Sequence, residues 1–263
     1  MRRSHALKST LLVALIGSGC SDTIIDGDAP PVLPAAESME FDFSSFDGTP
    51  SSAAARAPAR VAGTNWAAAA LSVTVANLAV VIHTAIPLAT WRAAIAQQPV
   101  FEDGQWHWRF STVENTTTYA GDLAGYLEGG DLVAEMRITA SALGLDDVLW
   151  YVGTAPVGGT TGTWEFYDPH APSTLVGTID WSHPGTFVWT VSFTAMAGTD
   201  IGDVLTYDVN GTARSVSFAD ASAGTTVDIA WNASTHAGSI TAPNLNGGVK
   251  ACWDTTLANA TCP

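Results

Sequence analysis

Hydrophobic and polar residues alternate with a period of two through most of the chain after Pro99. In Trp106-His107-Trp108-Arg109-Phe110 the aromatic side chains share one face and the polar ones the other, as a half-buried strand requires. Leu132, Ala134, Met136 and Ile138 repeat the pattern, and so do Phe187, Trp189, Val191 and Phe193. Further runs follow at Tyr119–Leu127, Val148/Trp150/Val152, Trp164/Phe166 and Leu175/Ile179/Trp181. Ile201–Val209, Val216/Phe218, Val227/Ile229/Trp231 and Ser239–Thr241 complete the set. Turn formers such as Gly129-Gly130, Gly158-Gly159, Asp168-Pro169 and Asn210-Gly211 stand between them, giving about eleven strands. No helical stretch interrupts them, which predicts an antiparallel up-and-down meander. A sheet of that size twists and curls, so the expected fold is mainly β, a closed or open β-barrel.

Before Pro99 the period of two is lost. The stretch Trp66–Gln97 is rich in alanine, and no Asp, Glu, Lys or Arg occurs from residue 61 to residue 91. It reads as a helix that is apolar on every side, and such a helix is buried in protein or in lipid. At full length it would run about 48 Å, so a kink at Pro87 is expected. Thr64 or Asn65 can cap its start, and Pro99 bounds its end. The part before Pro87 is long enough to cross a bilayer, but Asn77, His83, Thr84 and the alanine content favour packing in or against the barrel.

The first residues have a different logic. A basic start (Arg2, Arg3, Lys8), an apolar run from Leu11 to Ile16 and Gly17-Ser18-Gly19-Cys20 form the layout of a secretory signal peptide over 1–19. Small residues directly before Cys20 resemble the bacterial lipobox, although Gly17 stands where that pattern usually has Leu. The resemblance implies lipidation of Cys20, with diacylglycerol and palmitate as the attached chains. Ser21, in place of an Asp, implies the Gram-negative outer membrane. Residues 20–62, with Pro30, Pro31, Pro34, Pro50 and Pro58, read as an acidic, flexible tether with a candidate short strand over 39–46, and 63–263 as the folded domain. Of the three cysteines, lipidation of Cys20 leaves Cys252 and Cys262, a pair expected to be bridged in an oxidising compartment.

Charge narrows the partners. The formal net charge of −15 opposes binding to nucleic acid or anionic headgroups, and removal of the basic leader would make the chain more acidic still. Asp168-Pro169-His170 and Asp180-Trp181-Ser182-His183 place acids beside imidazoles, the one arrangement that could serve a hydrolase if the two loops met. Neither has the spacing of a known metal site, Asp-Pro and His-Pro are ordinary turn pairs, and no nucleophile elbow or phosphate-binding glycine pattern occurs after the leader. The reading is therefore of a non-enzyme without cofactor or metal. Trp106, Trp108, Trp150, Trp164, Trp181 and Trp189 fall on the apolar phase of the expected strands. They either fill the interior or line a pocket for a lipid or another hydrophobic ligand.

Leu149-Trp150-Tyr151-Val152-Gly153-Thr154, Gly162-Thr163-Trp164-Glu165-Phe166-Tyr167, Ile179-Asp180-Trp181 and Cys252-Trp253-Asp254 together resemble a group of bacterial lipoproteins with no assigned activity. The group shares a lipobox, an apolar N-terminal helix and a long β-meander, and it implies no catalytic residues. In layout alone, one helix followed by about eleven strands is similar to the Lol-type lipoprotein carriers, whose open barrels hold acyl chains.

Overall fold

Thr64 starts the one long helix among the described residues: its side chain accepts the Ala67 N–H at 3.2 Å, which satisfies one of the free donors of the first turn. The computed structural model describes residues 29–46 and 63–263. The expected signal peptide over 1–19 and Cys20 lie outside them. The helix, α1, spans Asn65–Ile95. Its start is fixed to the C-terminal end of the chain, where the Asn65 N–H donates to Asn259 Oδ1 and its Nδ2 to the Cys252 carbonyl, both at 2.7 Å.

Fourteen strands follow in one antiparallel sheet. The first seven are β1 (Val100–Glu102), β2 (Gln105–Glu114), β3 (Thr117–Glu128), β4 (Asp131–Ala140), β5 (Leu145–Pro156), β6 (Thr161–Asp168) and β7 (Ala171–Gly185). The others are β8 (Val188–Ala195), β9 (Val204–Asn210), β10 (Ala213–Asp220), β11 (Thr225–Asn232), β12 (Gly238–Thr241), β13 (Ala251–Trp253) and β14 (Asn259–Ala260). Each strand pairs with its neighbours in sequence, so the meander is as expected. The three strands beyond the expected eleven are the short β1, β13 and β14, whose two or three residues are too few to show a period. The sheet is not closed: its order is linear, and edge strands this short offer little backbone to pair with each other. It nevertheless bends far enough that α1 touches β2 and β3 near one edge and β12 and β13 near the other. Cys252 and Cys262 form a disulfide, Cα–Cα 5.2 Å, which closes the tail that carries β14.

Alternation places most of the expected apolar face inward. Trp106, Trp108, Leu123, Met136, Ile138, Trp164, Phe166, Ile179, Trp181, Val191 and Phe193 are all buried. β5 departs from the expected phase. Met136 pairs with Tyr151 but Arg137 pairs with Leu149, so Trp150 is the extra residue of a bulge and Tyr151 takes the buried position. The interior rings lie close to the neighbouring backbone. A Cβ on Gly153 would come within 2.2 Å of the Trp164 ring and one on Gly121 within 2.3 Å of the Phe110 ring, so both positions admit only glycine.

Residues 39–46 form no strand. The segment makes two short 3-10 turns, Ala36–Met39 and Ser44–Phe46. Its alternation still sorts side chains: Met39 and Phe43 are buried in the core, while Asp42 is exposed. Among the described residues no strand pairs with it to turn that alternation into a ladder. Instead Tyr207 donates its hydroxyl to the Asp42 carbonyl, and Trp164 donates its indole N–H to Ser38.

The helix differs from expectation in two ways. Its axis turns by 64° between Asn65–Leu78 and Val80–Ile95, about two turns before Pro87. Just past the turn the Thr84 hydroxyl donates to the Val80 carbonyl at 3.1 Å, a side-chain bond that competes with the helical ladder and bends helices. The helix also has a solvated face. Leu71, Val75, Leu78 and Ile82 are 67%, 59%, 60% and 75% exposed, whereas Val80 is 1% exposed. No straight helix among the described residues is long and apolar enough to cross a membrane; the two arms reach that apolar length only together, across the bend.

Candidate functional site

The two arms of α1 build different surroundings. On the second arm, Trp91 is fully buried and meets Trp164 edge-to-face at 4.7 Å between ring centroids. Thr90 shares a hydrogen bond with the Tyr151 hydroxyl, 3.2 Å apart. Burial pushes the Tyr151 hydroxyl well above the usual tyrosine range, against the smaller opposite pull of Thr90. Four of the six tryptophans read as candidate ligand contacts (Trp106, Trp108, Trp164 and Trp181) are buried in this filled interior. Trp150 packs its ring against Tyr119, 6.0 Å between centroids, at the bulge. Trp189 alone of the six lines one of the larger hollows found among the described residues.

Beside the first arm, a groove lies between the helix and β10–β11. Val216 and Phe218 of β10 pair directly with Ile229 and Val227 of β11, and these four side chains floor the groove. Leu71 and Val75 form its helical wall, and its volume is about 290 Å³. Apart from the Ser72 hydroxyl the groove is lined by apolar residues, with no ionisable group. Such walls can take an apolar body out of water; they offer no acid, base or activated nucleophile for bond making. At one end, Phe218 also borders a water-sized recess that holds His83, Asp200 and Asp203. Burial lowers the His83 pKa, with Asp200 opposing the shift.

The acid–imidazole loops are not brought together. Asp168 pairs across from Ala171 at one end of β6 and β7, while Thr161 pairs with Ser182 at the other end. Seven residues of strand, about 23 Å, separate the two levels. Asp168 accepts the His170 backbone N–H as a turn residue, Asp180 is exposed, and His183 stacks on Trp189. No group of three or more His, Cys, Asp or Glu side chains among the described residues could hold a metal ion.

The groove residues Leu71, Val75, Val216, Phe218, Val227 and Ile229 were not legible in the sequence as a site. The strands carried the inward phase of the last four, but nothing marked which side of a uniformly apolar helix would stay uncovered. Comparison of the chain with family models, curated proteins and solved structures finds no match.

Proposed function

We propose that this chain is a non-enzymatic, lipid-anchored protein of the cell envelope that holds a hydrophobic molecule, such as the acyl chain of a lipid, between α1 and β10–β11. The observation that carries this reading is the groove. Its apolar walls of about 290 Å³ continue into the exposed stripe of Leu71, Val75, Leu78 and Ile82, so an elongated apolar ligand would cover both. In this reading the sheet is an open barrel whose seam is filled by α1, as suggested by the contacts of α1 near both edges. The lipobox-like Gly17-Ser18-Gly19-Cys20 supports an anchor at Cys20 in the outer membrane. The resemblance to bacterial lipoproteins and the Lol-like layout accord with it. A second reading, a structural or surface-interaction protein with a filled interior, is favoured by the packing of Trp91, Tyr151, Trp164 and Phe166, each fully buried.

The test is uptake of a fluorescent fatty acid by the Cys20→Ser chain, together with native mass spectrometry for a co-purifying ligand. Saturable uptake that Val75→Asp abolishes, in a variant with unchanged circular dichroism, supports the first reading. No uptake and no co-purifying ligand in repeated preparations leaves the structural reading standing.

A further inference from the structure

A second hollow, of about 280 Å³, lies between the 36–46 segment and β8–β10, apart from the apolar groove. Glu37, Glu40 and Asp42 line one side, and Trp189, Tyr207 and Arg214 line the other. Its charges are only partly compensated. Glu40 pairs with Arg92 at 2.7 Å, but among the described residues neither Glu37 nor Asp42 has an ion-pair partner. Arg214 donates to the Gly211 and Ala213 carbonyls, at 2.6 and 3.0 Å, and makes no ion pair with either carboxylate. It keeps its own positive charge, but the acids Glu37, Glu40 and Asp42 outnumber it in the lining, so the hollow stays net negative.

The aromatic side of the hollow is fixed in place. His183 stacks on Trp189 with ring centroids 3.6 Å apart and planes 10° apart, which sets the indole plane. Tyr207 is held against Phe43, 5.6 Å between centroids, and its hydroxyl donates to the Asp42 carbonyl at 3.1 Å. Phe187, 71% exposed, stands among the lining residues as a large ring with little cover.

We propose that this hollow binds a small organic cation, an ammonium or quaternary ammonium group carrying an apolar body. Ring faces attract such a cation through their quadrupole, and the carboxylates compensate its charge. An anion would meet Glu37 and Asp42, and a neutral apolar molecule would desolvate them without compensation. The hollow and its fixed rings carry the inference; the acids select the sign of the ligand.

The experiment is a calorimetric titration of the purified full-length chain with choline, set beside its uncharged isostere 3,3-dimethylbutan-1-ol. Saturable choline binding is expected, with the isostere weaker by about tenfold or more. Trp189→Leu and the double variant Glu37→Gln/Asp42→Asn should each weaken choline about tenfold, with circular dichroism confirming the fold. If Trp189→Leu fails to fold, the exposed double variant decides. Absence of saturable choline binding, equal binding of the isostere, or choline binding that the double variant leaves intact would overturn the proposal.

Discussion

The two arms of α1 have nearly the same composition and opposite fates. Asn65–Leu78 and Val80–Ile95 are both alanine-rich and apolar, and neither carries an acid. The second arm buries Val80, Thr84, Thr90, Trp91 and Ala94, with Thr90 and Trp91 set against Tyr151 and Trp164. The first arm buries Ala69, Val73 and Ala76 and leaves Leu71, Val75 and Leu78 in solvent. Burial along this helix is therefore a property of what stands opposite, because the helix itself offers every side an apolar surface. The second arm buries the larger side chains, and the first, with Ile82 just past the bend, supplies most of the free apolar surface on which a binding function can rest.

The largest expected effect separates two neighbours on the second arm, just past the bend. Val80→Asp places an unpaired carboxylate where the side chain has no solvent, and the domain should lose most of its stability. Ile82→Asp, two residues on but exposed, should stay within about 0.5 kcal/mol of the parent. Urea unfolding of the two variants measures the contrast, and equal losses would break it. Next, Trp91→Ala should cost about 3–5 kcal/mol through lost transfer energy and the cavity left beside Trp164 and Tyr151. Leu78→Ala on the first arm should cost no more than about 0.5 kcal/mol by the same measurement.

The smallest effect is in alkaline stability. Tyr207 is pushed up to about 12 by burial and by the Asp42 carboxylate, and burial raises Tyr151 as well. A raised folded-state value means that this stability is fully present below the unfolded value of about 10 and is lost as pH rises toward the folded one. Thermal melting from pH 9 to 12 should fall across that window. Tyr207→Phe should flatten part of the decline; an unchanged profile would remove Tyr207 from the account.

Most of the sheet was legible because a period of two is a local property: each strand announces which side chains share a face. The exceptions are physical. The bulge at Trp150 depends on how β4 and β5 slide past each other, so it is written in neither strand alone. The segment over 39–46 alternates correctly, yet alternation reports extension and not the presence of a partner strand. The bend of α1 falls at Ala79, where the sequence offers no proline, and the Thr84 bond to the Val80 carbonyl marks it only once the helix is built.

The sequence by itself determined the long helix, the antiparallel meander, the pairing of Cys252 with Cys262 and which aromatic residues share one face of the sheet. All of these follow from covalent order and local periodicity. The tertiary structure decided that the sheet stays open, that α1 reaches both its ends, and that Leu71, Val75, Leu78 and Ile82 remain uncovered. A helix with no polar face encodes no direction, so only the shape of the surrounding sheet could choose its buried side.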